Sequence, residues 1–278
     1  MKTIRDVVAL SVEYVLSKGG RPRREVEEWI AHILGMRRLD VYLQFDRPLE
    51  DKELNAIRPG IGRLASGEPL AYVQGFSHFY DCEFIVTPAV LIPRPETELV
   101  VEAVKGVLSS RPRGTIVDVG TGSGCIGLTL KRLFPGWHVI VSDISEEALR
   151  VTRANAERLA VEVEVVQGDL LEPFIGKQLD CVVANPPYLS SREFVALDPS
   201  VAAFEPRQAL EAGPLGTECY QRLFAQLENC LAPHGCGAVE IGSTQGEAVM
   251  AMARSVGDAA LVKDFAGFDR IVTFSRVK

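Results

Sequence analysis

Beyond Arg113 short apolar runs alternate with amphipathic stretches, and this alternation limits the possible folds more than any other feature of the chain. Seven runs read as buried strands, at residues 115–119, 139–142, 163–166, 181–184, 238–241, 260–263 and 271–274. Helical stretches at 125–133, 146–159, 217–231 and 246–256 fall between them. Buried strands joined by helices specify an α/β fold, with a largely parallel seven-stranded sheet covered on both faces. Only Ala266-Gly267-Phe268-Asp269 joins the last two runs. That is too short for a crossover, so the final strand is expected to insert antiparallel.

The N-terminal part has a different period. Ile4, Val7, Val8, Val12 and Val15 recur at helical spacing, and after Pro22 a second stripe of Val26, Trp29, Ile30, Ile33 and Leu34 ends at Gly35. A further helix is expected over 51–66, although Pro59-Gly60 interrupts it. Proline in a helix interior costs about 3 kcal/mol, which predicts a kink or two short helices there. Runs at 79–80, 83–86 and 90–92 then read as β-type, and Pro93-Arg94-Pro95-Glu96-Thr97-Glu98 forms a stiff connector into a helix over 97–108. The expected organisation is a small helical bundle domain over 1–75, a hairpin and connector over 76–98, and the α/β domain over 99–278. A chain of 278 residues accommodates two such domains.

Composition narrows the partners. No apolar run approaches the roughly 20 residues of a membrane helix, and the N-terminus opens into acid-containing amphipathic sequence, so a cytoplasmic protein with no membrane partner is expected. Cys82, Cys125, Cys181, Cys219, Cys230 and Cys236 form no C-x-x-C pair and are expected to be reduced. The four histidines are scattered, and no metal site is expected. Net charge is −7; through Gly75 there are 12 Lys+Arg against 11 Asp+Glu, and beyond it 18 against 26. An acidic C-terminal part argues against a partner held through phosphates, so direct nucleic-acid binding is not expected.

The first strand runs into Asp118-Val119-Gly120-Thr121-Gly122-Ser123-Gly124 and then a helix. In open α/β sheets ligands bind beyond the carboxyl ends of the strands, where glycines let the backbone approach. A nucleotide-containing ligand is expected. Gly122 to Gly127 satisfies G-x-G-x-x-G, so a dinucleotide remains an alternative. The G-x-G-x-G register from Gly120, with Asp118 just before it, favours S-adenosylmethionine (AdoMet). Asp143 closes the second strand, where its carboxylate can accept from ribose hydroxyls of either ligand. After the third strand, Asp169 could accept from an adenine amino group while Leu170 packs on the ring.

At the end of the fourth strand stands Asn185-Pro186-Pro187-Tyr188. An amide or aromatic-amine nitrogen is a poor nucleophile because its lone pair is delocalised, and its –NH2 group needs acceptors in a dry site. The Asn185 side-chain carbonyl and the Pro186 backbone carbonyl would take both N–H groups and orient the nitrogen toward an incoming methyl. Pro186 and Pro187 stiffen the turn, and Tyr188 offers a flat face to a planar acceptor. The local chemistry does not distinguish an adenine from a glutamine –NH2.

The tetrapeptide resembles those of N6-adenine and guanine-N2 nucleic-acid methyltransferases, and that of the family that N5-methylates the glutamine of peptide chain release factors. Further segments resemble the last family alone: Pro69-Leu70-Ala71-Tyr72-Val73 with Phe79-Tyr80, Leu91-Ile92 with the Pro93–Glu98 connector, Glu205-Pro206 with Ala209-Leu210, and Glu240-Ile241-Gly242 with Gln245. The resemblance implies a Rossmann-like class I AdoMet-dependent methyltransferase domain with an N-terminal helical domain that binds class 1 release factors. It implies cofactor contacts by Gly120, Thr121, Gly122, Ser123, Gly124, Asp143, Leu170 and Asn185, and catalytic contacts by Asn185, Pro186, Pro187 and Tyr188; Asp118 and Asp169 are expected cofactor contacts from their places before the glycine loop and after the third strand. Leu170 departs from the aromatic residue of relatives. The competing expectations are a nucleic-acid amino-group methyltransferase and a non-catalytic AdoMet-binding module.

Overall fold

Thr3 opens the first helix, Ile4–Ser17: its hydroxyl accepts from the Asp6 N–H, and the Asp6 carboxylate accepts in return from the Thr3 N–H at 2.9 Å. This computed structural model describes residues 2–276. Four more helices follow, Arg23–Ile33, Arg38–Leu43, Asp51–Ala65 and Leu70–Gln74. The two expected stripes meet in one core, with Ile4, Val8, Val15, Val26 and Ile30 buried together. A compact unit runs through Phe76 and also includes Asp198–Phe204, while Ser77–Leu197 and the chain from Glu205 onward form a second.

Of the two outcomes expected at Pro59-Gly60, a kink or two short helices, the second does not occur: Asp51–Ala65 is a single helix. Pro59 lies on the exposed side, whereas Gly60 is buried. A Cβ at residue 60 would stand 2.1 Å from Trp29 Cε2, and the Trp29 indole N–H donates to the Ile57 carbonyl at 2.8 Å. The close approach of the indole, possible only over glycine, packs the helix across the proline, whose local cost is about 3 kcal/mol.

The chain continues with a hairpin of Phe76–Phe79 and Cys82–Ile85. The expected strand at 90–92 is instead a turn closed by the Val90 N–H on the Thr87 carbonyl, followed by irregular chain. After a 3-10 turn at Pro95–Thr97 and a helix at Glu98–Ser109 comes the sheet. Its strands are β1 (Thr115–Val119), β2 (His138–Asp143), β3 (Glu164–Gln167), β4 (Leu179–Ala184), β5 (Leu231–Glu240), β6 (Asp258–Lys263) and β7 (Asp269–Ser275). Across the sheet the order is β6-β7-β5-β4-β1-β2-β3, with β7 antiparallel to both neighbours and the rest parallel.

Alternation puts Ile116, Val139, Val141, Cys181 and Val183 into one core with the helices Glu98–Ser109 and Cys125–Leu133. Val117, Val119, Ile140, Val182 and Ala184 enter the opposite core, with Leu223 and Leu227 of the helix Glu218–Leu227 and Val249 of Gly246–Ala253. Between β4 and β5 the chain makes a two-strand parallel pair, Leu189–Ser190 with Glu211–Gly213.

Gly60 and Gly62 share a helix but predict opposite outcomes. Gly62→Ala, where a Cβ meets nothing within 4 Å, is expected to raise unfolding free energy by up to about 1 kcal/mol. Gly60→Ala is expected to lower it by about 1–3 kcal/mol through collision with Trp29. Urea titrations of both variants check the pair.

Candidate active site

The parallel ladder sets the site. Val119 pairs with Ser142 on one side and Ala184 on the other, Asp143 with Gln167, and Ala184 with Val239. Gly120, Asp143, Gln167, Asn185 and Glu240 therefore occupy one row at the carboxyl edge, where the strand order reverses about β1. Above this row lies a cavity of about 320 Å³, walled by residues of the second unit.

Gly120, Gly122 and Gly124 all have positive φ, from 57° to 86°, which only glycine adopts without strain. Gly120, Thr121, Gly122 and Ser123 line the cavity; Gly124 stands behind it, where a Cβ would strike Leu128 Cδ1 at 2.8 Å. Asp118 also stands behind the wall. It is fully buried, and its Oδ2 accepts from the Thr121 hydroxyl at 2.5 Å and the Gly127 N–H at 2.8 Å. Burial pushes its carboxyl up to about 6. The geometry of Asp118 is that of a tie between loop and helix, rather than of a ligand contact.

Asp143 lies in the wall; Oδ2 accepts from the Gly122 N–H at 3.0 Å and Oδ1 from the Ser145 N–H at 2.9 Å. Each oxygen retains a lone pair for a ligand hydroxyl. Burial raises this carboxyl as well. Asp169 and Leu170 also line the cavity, Asp169 paired to Arg222 at 2.6 Å and Leu170 held at φ 51°.

Of the tetrapeptide, Asn185 and Pro187 line the cavity. Asn185 Nδ2 donates to the Thr97 hydroxyl at 3.1 Å. That bond leaves Oδ1 as the acceptor the amide turns to a ligand. Pro186 is buried, and Tyr188 packs against the core on the far side of the turn, its hydroxyl pushed up to about 12 by burial. The structure does not bring the Tyr188 ring into the wall. Its carbonyl accepts from Gln245 Nε2 at 2.8 Å, and the same amide donates to the Gly216 carbonyl and accepts from the Gly242 N–H.

Thr97 and Arg94 also line the cavity, and sequence reasoning gave neither a role. Arg94 pairs at 2.5 Å with Glu205, whose side chain is 1% exposed and also accepts from the Ile92 N–H. Glu98 accepts from the Tyr80 N–H at 2.6 Å and serves the hairpin. The only sequence signal for Thr97 and Arg94 is their place in the proline connector, since a hydroxyl and a guanidinium in a loop have no spacing rule.

A family model described as the Methyltransferase small domain matches residues 96–200, and one described as the PrmC N-terminal domain matches residues 12–75. The chain is 36% identical over 273 residues to a Geobacter sulfurreducens protein named release factor glutamine methyltransferase, covering 97% of this chain and 95% of that one. A protein of the same name from Moorella thermoacetica is 40% identical over 275 residues, 96% of each chain. Among solved structures, a methyltransferase from Pyrococcus furiosus covers 70% of this chain and 89% of its own at TM-score 0.52 and 18% identity. At that identity the likeness is one of fold. Among the described residues, no helix is long and apolar enough to cross a membrane.

The raised carboxyls predict a pH effect on stability. Asp118, Asp143 and Glu240 all bind protons more tightly folded than unfolded, chiefly through burial. Their contribution is fully present below the ordinary carboxylate range and is lost as pH rises through the folded values, about 6 for Asp118 and about 7 for Glu240. From about pH 5 to about pH 8 the ligand-free protein is expected to lose on the order of 1 to 3 kcal/mol of stability, read as a falling Tm. A flat profile contradicts this.

Proposed function

The chain belongs to the release factor glutamine methyltransferase family, and on that premise we propose that it moves the methyl group of AdoMet to the N5 side-chain amide nitrogen of the glutamine in the Gly-Gly-Gln loop of class 1 peptide chain release factors. The observation that supports this reading most directly is Asn185: with Nδ2 bonded to Thr97, its carbonyl is the end left for a substrate –NH2.

The residues present fit the cofactor. A Cβ at Gly120 or Gly122 would meet nothing within 4 Å, so the loop borders open space, and the buried Ser123 hydroxyl in the same wall has no partner. Gly120, Thr121, Gly122 and Ser123 would hold the cofactor beside the loop, Asp143 would accept from the ribose, and Asp169 with Leu170 would border the adenine. Asp118 and Gly124 would act from behind, shaping the loop. When bound, AdoMet supplies an electrophilic methyl group on a positively charged sulfur.

Asn185 Oδ1 and the Pro186 carbonyl would accept the two N–H groups of the glutamine amide. Held so, the nitrogen would turn its lone pair toward the methyl, and the two dipoles would stabilise positive charge on it as the N–C bond forms and the methyl–sulfur bond breaks, its electron pair leaving with the sulfur as a neutral thioether. The proton leaves afterwards, because N-alkylation makes it strongly acidic. No general base is needed before transfer. Tyr188 backs the turn from the core, and Gln245 donates both to the Tyr188 carbonyl and to that of Gly216.

The helical unit would dock the release factor. Leu10, Tyr14, Leu39 and Leu43 are exposed on it, and they give a protein partner apolar surface to cover. An acidic catalytic part gives phosphates little to bind.

The test uses radiolabelled AdoMet with a release factor, the same factor with its Gly-Gly-Gln glutamine replaced, duplex DNA and rRNA. Label is expected on the intact factor alone; label on nucleic acid and not on the factor sinks the reading. Asn185→Ala is expected to cut turnover by about 100- to 1000-fold while circular dichroism stays unchanged. Near-wild-type turnover in that variant rules out the acceptor role.

A further inference from the structure

The turn that joins β6 to β7 holds two aromatic rings out to solvent: Phe265 is fully exposed and Phe268 is 55% exposed. Turns of this kind are ordinarily made of Gly, Asn, Asp, Ser and Pro, and a ring at full exposure adds nothing to the core. The tip is nonetheless well braced. Asp264 Oδ1 accepts from the Ala266 and Phe268 N–H groups, each at 2.9 Å, the Asp264 N–H donates to the Phe268 carbonyl at 2.8 Å, and Gly267 closes the turn at φ 86°. Its charges are paired internally: Lys263 with Asp269 at 2.6 Å and Arg270 with Asp264 at 2.9 Å. The Arg270 guanidinium also lies 5.9 Å from the centre of the Phe268 ring. What the tip offers a partner is therefore apolar.

Strand register places this tip beside the site. Ile271 of β7 is the partner of Glu240, which stands in the row with Asn185, and the Ile241 N–H donates to the Arg270 carbonyl at 2.8 Å. Because β7 runs antiparallel to β5, the chain before Ile271 rises beyond that row. Phe268 stands on the order of 10 Å above it, and β7 lies two strand spacings, again about 10 Å, to the side of β4. The chain leaving β5 occupies the interval, where a Cβ at Gly242 would stand 3.4 Å from Tyr188 Cδ2. Tip and tetrapeptide thus share one edge of the second unit.

We propose that Phe265 and Phe268 form a docking contact for the acceptor protein, on the catalytic unit itself and separate from the helical one. The proposal rests on the release-factor reading above. A folded protein whose loop reaches Asn185 lays the surface flanking that loop on the carboxyl edge, and the tip rises from the same edge to meet it. Aromatic rings are enriched where protein surfaces join, because each buries a large apolar area. With the charges of the tip already paired, the surface it fits is an apolar one and not a phosphate backbone. The contact is made before the methyl moves and persists as it moves, so it acts on affinity for the factor and not on the chemical step.

The test measures methyl transfer to a full-length release factor by the full chain carrying Phe265→Ser, Phe268→Ser, both changes, or Phe265→Leu. The double variant is expected to raise KM for the factor by about 10- to 100-fold, as truncation of a central interface side chain does. Its kcat and its KM for AdoMet should stay within about twofold. Phe265→Leu should keep most of the affinity. An unchanged KM for the factor in the double variant overturns the proposal, as does a loss confined to kcat. A wild-type dimer that the double variant dissolves without change in that KM assigns the tip to a second copy of the chain and overturns it too. Loss of rRNA binding at unchanged KM does the same. If Phe268→Ser lowers Tm by releasing Arg270, the two Phe265 variants decide. A wild-type chain that labels no factor sinks the reading beneath the proposal, whereas a labelled factor with equal KM in wild type and double variant sinks the tip alone.

Discussion

Parallel hydrogen-bonding between strands that all end at the same level is the constraint on which the site depends. Five strands release their chains into one row, so residues separated by as many as 120 positions in sequence, Gly120 and Glu240, start their loops side by side. A slip of one residue in β4 would turn Asn185 toward the other face of the sheet. Register is pinned by burial on both faces: Val182 and Val183 point into opposite cores, and neither can exchange places without loss. The chemistry therefore rests on apolar packing well below it.

Above the row, side chains do the work of regular structure. Asn155 is buried on the helix Glu146–Arg158; its Oδ1 accepts from the Ile85 N–H at 2.6 Å, and its Nδ2 donates to the Ile85 and Ser123 carbonyls. Thr152 on the same helix donates to the Gly122 carbonyl at 2.8 Å. Asp118 holds the loop from beneath, Gln245 the tetrapeptide and Glu205 the connector. Each polar group satisfies backbone that has left the sheet, and an unmet one would cost about 1–3 kcal/mol. The walls are loops tied by these bonds.

The strands and both stripes were legible because hydrophobic period is a local signal, and the 266–269 turn forced the antiparallel insertion of β7. Gly120, Asp143 and Asn185 were legible because each follows a recognisable strand. Asp118 was read as a contact because adjacency in sequence says nothing of which side of a wall a carboxylate takes. Pro59 does not divide its helix, which the sequence could not show because its cost is local while the packing of Trp29 over Gly60 comes from another helix. Thr97, Arg94 and the tie made by Glu205 join segments up to 113 residues apart, and no periodicity marks them.

The assignment of Asp198–Phe204 to the first unit has a consequence for modularity. Arg21 donates to the Ser200 hydroxyl at 2.8 Å inside that unit, and Phe204 lies beside Gly67. The helical unit is thus written in two separate stretches of the gene, the second embedded within the coding region of the other unit. An ancestral fusion at residue 76 alone would have delivered it incomplete. Recombination that exchanges one partner-binding module for another must therefore cut the chain three times, and that requirement favours inheritance of both units as a single block.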